Sequence, residues 1–214
     1  MNRQAFLGRL VRRGDLAIPQ PPPRPDSPRG DLGEALLAMC AAGGCGTHRA
    51  QGPEAALARA LALLAGAGVT RVGHSDLGPE LMPLLPAAAK DADLELVAAA
   101  DGDSGVLALG EPLAAGLTRC DLAVAQTGGL VQLAGAAGGR LMSLMPPVHV
   151  ALLHREDVLP DMRSLARALN DPARFPAGPP AAALISGPSK TADIEGIMIK
   201  GVHGPGRLEL VLWS

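Results

Sequence analysis

The stretch VHVALL, residues 148 to 153, is an apolar run interrupted by one histidine. A short run that is apolar at nearly every position is typical of a strand buried on both faces of a sheet. Such sheets are mainly parallel, because the helices that connect parallel strands cover both faces. The rest of the chain should therefore supply further short strands and the helices between them.

Strand and helix patterns do alternate along the chain. Strands are predicted at 69 to 73, 94 to 100, 122 to 134 as a hairpin, 148 to 153, 181 to 186 and 207 to 213. Helices are predicted at 32 to 40, 54 to 65, about 79 to 90, 111 to 118 and about 159 to 169. This alternation predicts an α/β fold with a mainly parallel sheet flanked by helices. We expect the hairpin and the final strand to be antiparallel additions.

The composition is that of a packed globular protein. Hydrophobic residues make up 48% of the 214 residues and charged residues 19%, which excludes a disordered chain. The net charge of −2 supplies no field to attract DNA, RNA or an anionic membrane, and aromatic residues are only 1%. No apolar stretch reaches the length that spans a bilayer. We therefore predict neither a nucleic-acid-binding nor a membrane-spanning protein.

Cysteine usage indicates the compartment. The chain has three cysteines, an odd number in a chain too large to need disulfide staples. We therefore expect a reducing compartment and a cytoplasmic protein.

Residues 1 to 30 are predicted to form an arm and residues 31 to 214 a single α/β domain. In MNRQAFLGRLVRR, at 1 to 13, the apolar residues have helical spacing and predict a short amphipathic helix. The basic, acid-free composition of this segment also fits a transit peptide. PQPPPRPDSP, at 19 to 28, favours polyproline geometry and predicts a linker or a strap on the domain.

The segment SGPSKTADIEG, at 186 to 196, has an unusual density of hydrogen-bonding groups between two apolar runs. Its pattern predicts a polar loop, one helical turn and a second strand. Amides at the start of that turn and the Lys190 cation would suit an anion such as a phosphate or carboxylate. Asp193 and Glu195 would share one face only on an extended backbone. The alternative is a helix start at which Ser189 and Thr191 cap backbone amides.

A second candidate is QTGGLV, at 126 to 131. Thr127, Gly128 and Gly129 follow a predicted strand, and adjacent glycines serve either a close-bound ligand or a simple tight turn. Because this loop and residues 186 to 195 would both leave strand ends, we expect a shared pocket. Neither a Walker loop nor a dinucleotide-binding glycine motif is present at a suitable position.

The histidines give weaker signals. His149 lies within an apolar strand and is expected to be a hydrogen-bonded core residue, whereas His203, beside Gly204, is a better candidate for a site. A zinc site at His48 with Cys40 and Cys45 lacks a fourth ligand, so we predict no metal. The run His74-Ser75-Asp76 has no nucleophile-elbow motif and is interpreted as a polar loop.

Two long stretches carry a family resemblance. GGRLMSLMPPVHVALLHREDVLP, at 138 to 160, and ISGPSKTADIEGIMIKGVHGPGRLELVLW, at 185 to 213, resemble the LUD-domain family, in the group of lactate-utilisation protein C. The resemblance is strong from about residue 120 onward. It implies the α/β fold shared with sugar-phosphate isomerases, CoA transferases and folate cyclo-ligases. It further implies a part in oxidising L-lactate to pyruvate with two partner subunits that carry iron–sulfur clusters.

The resemblance also implies a set of pocket residues. They are Thr127, Gly128, Ser186, Gly187, Ser189, Thr191, Asp193, Glu195 and Gly204. Relatives usually show Glu-Thr-Gly-Thr where this chain has Gln126-Thr127-Gly128-Gly129. A glutamine cannot form an acyl anhydride or act as a general base, so CoA-transferase chemistry is not expected from Gln126.

Cofactor binding follows from the cysteines. Three cysteines without a C-x-x-C pair cannot hold a four-thiolate cluster, so we expect no cofactor in this chain and iron–sulfur clusters only in partner subunits.

These inferences give one main functional hypothesis and two alternatives. The main hypothesis is an accessory component of an L-lactate oxidation system that binds a small anionic ligand. The expected ligand-binding residues are Gln126, Thr127, Gly128, Gly129, Ser186, Gly187, Ser189, Lys190, Thr191, Asp193, Glu195, His203 and Gly204. The first alternative is an enzyme that acts on a phosphorylated, CoA-linked or folate-like small substrate, with Lys190, Asp193, Glu195 and His203 as catalytic candidates. The second is a scaffold whose polar loop is a partner interface.

Overall fold

The computed structural model describes residues 26–98, 113–134, 139–178, 180–192 and 198–214. The amino-terminal helix and most of the proline-rich segment that we predicted lie outside the described residues, as do Asp193 and Glu195.

Five α-helices and one short 3-10 helix (Arg155–Asp157) lie in this part of the chain. The α-helices are α1 (Leu32–Gly43), α2 (Gly52–Ala65), α3 (Leu85–Asp91), α4 (Gly139–Leu144) and α5 (Met162–Leu169). Asp31 caps α1 by accepting from the amides of Gly33 and Glu34, and Asp161 caps α5 by accepting from Ser164. No helix of the described ranges is long and apolar enough to cross a bilayer.

The described strands number twelve. They are β1 (Gly46–Ala50), β2 (Arg71–His74), β3 (Glu95–Ala98), β4 (Ala115–Arg119), β5 (Leu122–Val124), β6 (Gly129–Leu133), β7 (Val148–His154), β8 (Val158–Leu159), β9 (Ala182–Ile185), β10 (Lys190–Ala192), β11 (Met198–Lys200) and β12 (Arg207–Trp213).

Six of these strands form one parallel sheet in the order β1-β12-β7-β4-β2-β3. A second sheet has the order β8-β5-β6-β9, in which β6 is antiparallel to both neighbours and β8 is parallel to β5. β10 and β11 form an antiparallel pair. The predicted α/β fold, a mainly parallel sheet flanked by helices with antiparallel additions, is confirmed.

Strand β7 shows why VHVALL is apolar at successive positions. Val150 and Leu152 pack into the core beneath α2 and α3, whereas Ala151 and Leu153 pack into the core shared with α1 and the second sheet. Because both faces of the strand are covered, alternation between apolar and polar residues is lost. A third cluster lies on the outer face of the second sheet, against Leu165 of α5.

Two elements differ from the expectations. The helix predicted at 111 to 118 is wrong, because Ala115–Arg119 is strand β4, inserted between β2 and β7. Gly116 is needed there, since a Cβ on it would collide with the carbonyl oxygen of Met142 in α4. The final strand was expected to be antiparallel, but β12 is parallel to both of its neighbours. Lys190–Ala192 forms strand β10, and residues 193–197, where the predicted helical turn could still lie, are outside the described residues.

Two predicted helices begin later than expected. Residues 79 to 84 are turns, and α3 starts at Leu85. Leu159 belongs to β8, and α5 starts at Met162 after the Asp161 cap.

Candidate functional site

The carboxyl end of helix α1 is closed by a backbone hydrogen-bond motif. Gly44 has a left-handed φ of 94°, and its amide donates to the carbonyl oxygen of Ala41 at 2.9 Å. The amide of Cys45 donates to the carbonyl oxygen of Cys40 at 3.0 Å. These two bonds define a Schellman motif, in which glycine takes the left-handed position without a steric cost. Three polar turns gather around this helix end.

The first is the 126–129 turn, between β5 and β6. Gly128 has a φ of 66°, and a Cβ on it would lie 3.0 Å from the amide nitrogen of Cys40 and 3.0 Å from the carbonyl carbon of Met39. The Cys40 thiol donates to the carbonyl oxygen of Gly128 over 3.4 Å. This turn therefore rests directly on the last turns of α1, and the glycine is required by both its φ and this contact.

The second is the 186–190 loop, between β9 and β10. Gly187 has a φ of 92°, and a Cβ on it would lie 2.9 Å from the carbonyl oxygen of Gly43. The ammonium group of Lys190 donates to the same oxygen at 2.6 Å. Both contacts hold the loop against the carboxyl end of α1.

The third is the 203–205 turn, which leads into β12. The amide of Ser189 donates to the carbonyl oxygen of Pro205 at 2.8 Å, and Gly204 lies beside Ser189 and the carbonyl oxygen of Leu144. The three turns are therefore neighbours, and we refer to them together as the three-turn cluster. His203 is exposed next to Gly204, and Ser186 is exposed in the loop.

The three-turn cluster lies at the amino edge of the six-stranded sheet. The end of α1 immediately precedes β1, and the 203–205 turn immediately precedes β12. In open parallel sheets ligands generally bind at the carboxyl edge, which is the opposite edge of this sheet. The 126–129 turn and the 186–190 loop do leave the carboxyl ends of β5 and β9, but those strands belong to the second sheet.

The position of Lys190 bears on the predicted anion. A helix carries negative partial charge at its carboxyl end, where carbonyl groups lack partners. The ammonium group of Lys190 compensates this end through its bond to Gly43. An anionic ligand must therefore compete with the helix for this cation, and anion binding stays a prediction.

Gln126 faces a different space from the rest of its turn. It lines a cavity of about 610 Å³ at the start of α5, with Asp26, Ser27, Asp161, Met162, Arg163 and Ala166. Its side-chain amide donates to the carbonyl oxygen of Asp26 at 3.3 Å. A hydrogen bond from the Ser27 hydroxyl, with further bonds from Ser164, lowers the pKa of Asp161 to about 2. Gln126 therefore does not face the contact between Gly128 and α1.

His149 is part of a buried polar chain between the two sheets. Its Nε2 lies 2.8 Å from the hydroxyl of Thr118, which also accepts from the side-chain amide of Gln132 at 2.7 Å. Burial lowers the pKa of His149 to about 3, so the ring is neutral. His149 Nδ1 and Gln132 Oε1 have no partner among the described residues. His149 is a buried core residue, as predicted, but only one of its two ring nitrogens has a hydrogen-bond partner among the described residues.

The other histidines make local contacts. His48 Nε2 donates to Glu209 at 2.7 Å while Arg59 donates to His48 Nδ1 at 3.0 Å. His74 is buried at the end of β2 and bonds the carbonyl oxygen of Ser75 through Nδ1, so the polar loop predicted to include His74 begins only at Ser75. Across the described ranges, no group of three or more histidine, cysteine, aspartate or glutamate side chains could hold a metal ion.

Sequence reasoning missed an apolar surface around the three-turn cluster. Of the six large apolar side chains that are exposed among the described residues, five lie there: Met39, Leu144, Met145, Leu184 and Val202. Met39 and Leu184 contact the 126–129 turn, Leu144 lies beside Gly204, and Met145 and Val202 are chain neighbours of these groups. Met39 and Leu184 fit ordinary helix and strand patterns in the sequence, so no local signal marked them as exposed.

The fold is that of an α/β domain that carries a cluster of polar turns on the amino side of its parallel sheet. The family model described as the LUD domain matches residues 33–213, and the chain belongs to this family.

Individual relatives match a shorter part of the chain. Lactate utilization protein C of Exiguobacterium sp. is 39% identical over 101 residues, which is 45% of this chain and 43% of that protein. Lactate utilization protein C of Halalkalibacterium halodurans is 38% identical over 93 residues, 43% of this chain and 40% of that protein. An uncharacterized protein, YkgG of Escherichia coli K12, is 37% identical over 91 residues, 42% of this chain and 39% of that protein. The matched part thus spans about two fifths of each curated relative.

A solved structure supports the fold. The crystal structure of a DUF162 family protein from Deinococcus radiodurans is similar over 88% of this chain and 100% of that chain, with a TM-score of 0.59 and 20% identity.

Proposed function

We propose that this chain is an accessory component of a system that oxidises L-lactate to pyruvate, binding a small anionic ligand and docking on iron–sulfur partner subunits. Membership of the LUD-domain family supports this proposal, as do two relatives that carry the name lactate utilization protein C. The match to those relatives covers only part of their length. The proposal therefore also depends on the apolar surface around the three-turn cluster.

The observation that carries the proposal is the apolar surface around the three-turn cluster. Met145 is 57% exposed, Val202 51% and Leu184 47%. Exposed apolar side chains that gather in one place mark protein interaction sites, whereas isolated ones are common and uninformative. Methionine is enriched at such surfaces because its flexible side chain adapts to a partner. A partner seated here would cover the three polar turns at the same time.

The chemistry of the three-turn cluster favours binding over turnover. Its described residues offer backbone groups, hydroxyls, the Cys40 thiol and one ammonium group that the helix end already engages. Electron transfer needs a redox centre, and three cysteines cannot supply the four thiolates of a usual iron–sulfur cluster. We therefore assign the iron–sulfur clusters to partner subunits. The role left to this chain is to bind the anionic ligand and to dock on those subunits.

Gene deletion tests the role. Cells without the gene should grow poorly on L-lactate alone and normally on glucose, and the intact gene should restore growth. Undiminished growth on L-lactate would reject the role. Turnover of a sugar phosphate, CoA ester or folate by the purified chain would favour an independent enzyme instead.

Surface variants test the docking. Met145→Glu and Leu184→Glu place a charge within the apolar surface and should abolish both complementation and co-purification of iron–sulfur proteins. Ala62→Glu, on the exposed face of α2, adds the same charge elsewhere and should behave like the wild type. If all three variants restore growth, the role stands but the docking surface is wrong.

A further inference from the structure

The Schellman motif at the end of α1 brings two cysteines together. In this motif the third residue before the helix cap and the second residue after it are joined by a backbone hydrogen bond, and their side chains pack against each other. Cys40 and Cys45 occupy these two positions, with the amide of Cys45 3.0 Å from the carbonyl oxygen of Cys40. Their side chains belong to the same buried cluster and are nearly buried, at 1% and 7% exposed.

The surroundings shift the pKa values of the two thiols in opposite directions. The neighbouring Cys40 side chain lowers the pKa of Cys45, and the positive charge of Lys190 lowers it further, against opposing effects of burial and Glu209. Conversely, the neighbouring Cys45 side chain raises the pKa of Cys40, and burial adds to this. Cys45 is also the more exposed of the two, at 7% against 1%, so both accessibility and thiolate character favour Cys45 as the first thiol to react and Cys40 as the second.

Cys120 provides an internal reference. It is fully buried, and burial raises its pKa, with the nearby Asp121 charge adding to the effect. All three cysteines are free thiols, so their reactivities can be compared within one molecule.

We propose that Cys40 and Cys45 form an oxidisable dithiol that peroxides convert to a disulfide. The Cys45 thiolate attacks one peroxide oxygen, the O–O bond breaks, and after proton uptake the products are a Cys45 sulfenic acid and one water. The sulfur of Cys40 then attacks the Cys45 sulfur, forming the S–S bond and releasing the hydroxyl group with the Cys40 proton as a second water. Two thiols lose two electrons in total, and the peroxide gains them.

The reaction would act directly on the three-turn cluster. In the reduced state the Cys40 thiol donates to Gly128, and Lys190 lies close to Cys45. A disulfide has no S–H group, so the bond from Cys40 to the 126–129 turn is lost. Oxidation thus loosens this turn from α1. This inference concerns the thiols alone and holds whether or not the proposed role in lactate oxidation is correct.

Peptide mapping of the purified full chain tests the proposal. Trypsin releases residues 30–49 as one peptide that contains both Cys40 and Cys45, while Cys120 falls in another. After hydrogen peroxide treatment of the folded protein and alkylation in denaturant, the 30–49 peptide should lack both alkyl groups and regain them with dithiothreitol. The Cys120 peptide should stay alkylated. A 30–49 peptide that keeps both alkyl groups, or a Cys120 that is oxidised first, would overturn the proposal.

Single variants assign the order of attack. Cys40→Ser should leave a sulfenic acid at Cys45 that dimedone traps, because the second thiol is absent. Cys45→Ser should give no dimedone adduct at Cys40, and Cys120→Ser should form the disulfide as the wild type does. A dimedone adduct that forms at Cys40 in Cys45→Ser as readily as at Cys45 in Cys40→Ser would contradict the assigned nucleophile.

Discussion

Two glycines with the same backbone conformation differ in what surrounds them. Gly187 and Gly178 have φ values of 92° and 98°. A Cβ on Gly187 would lie 2.9 Å from the carbonyl oxygen of Gly43, whereas nothing lies within 4 Å of the same position on Gly178. The pair therefore separates the cost of a left-handed backbone from the cost of moving the 186–190 loop away from α1.

We expect Gly187→Ala to reduce the free energy of unfolding by more than about 2 kcal/mol, because the left-handed strain adds to an overpacked contact. Gly178→Ala should cost about 1 kcal/mol, from the backbone strain alone. Urea denaturation of the two variants measures both values. Equal losses would mean that the loop does not depend on its contact with the helix end.

At the scale of the element, the ammonium group of Lys190 is hydrogen-bonded to the carboxyl end of α1. Lys190→Met should lower the stability by about 0.3 to 1 kcal/mol even in a buffer without multivalent anions, because the Gly43 carbonyl loses its donor. Lys90→Met removes a cation from the last turn of α3, where no bond from its ammonium group to a carbonyl is seen within the described chain, and should cost less. Thermal unfolding compares the two. If Lys190→Met has no effect until phosphate is added, the lysine serves an anion rather than the helix.

Elements with a strong periodic signal could be predicted from the sequence. The helix at 54 to 65 and the strand at 148 to 153 coincide with α2 and β7, because Pro53 at the helix start and a continuous apolar run are local signals. Strand β1 was missed, since GTHRA is polar and takes its place from pairing with β12. Strand β4 was mistaken for a helix, since its alanine and leucine content favours helices and only the neighbouring strands decide otherwise.

The candidate site was predictable only in part. The clustering of glycines and hydroxyl residues predicted turns at 126 to 129 and 186 to 189, and both turns contact the carboxyl end of α1, while the shared ligand pocket stays a prediction. Their position at the amino edge depends on strand order, which short motifs do not encode. The use of Lys190 at a helix end and the exposure of Met145 and Leu184 likewise arise only when distant segments meet.

At the scale of the whole molecule, the buried chain of Gln132, Thr118 and His149 joins the two sheets. Thr118→Val removes the hydroxyl that bonds both partners and leaves two buried polar groups unpaired, so we expect a loss of roughly 2 kcal/mol or more. Thr47→Val, in the half-buried edge strand β1, should change stability by less than about 0.5 kcal/mol. Chemical denaturation gives both numbers, and a small loss for Thr118→Val would show that buried water replaces the hydroxyl.

The same chain predicts a pH dependence. The pKa of His149 is about 3 in the folded protein and near the ordinary 6.5 in the unfolded chain, so below pH 6.5 only the unfolded state takes up the proton. This group's contribution to stability is therefore complete above pH 6.5 and falls as pH decreases, by about 1.5 kcal/mol between pH 6.5 and 5. His149→Gln should remove this part of the slope, whereas His203→Gln, at an exposed position, should keep it. Equal slopes in both variants would contradict the buried neutral ring.

The strand order also bears on how the protein is made. Strand β1 lies at one edge of the parallel sheet, and its neighbour is β12. Until residues 207 to 213 have left the ribosome, β1 has no strand to join and β7 exposes the edge that β12 will occupy. Unpaired strand edges promote aggregation of nascent chains. Translation that pauses before residue 207 should therefore leave an intermediate that depends on chaperones, and we expect its solubility to recover only when the last strand is inserted between its two neighbours.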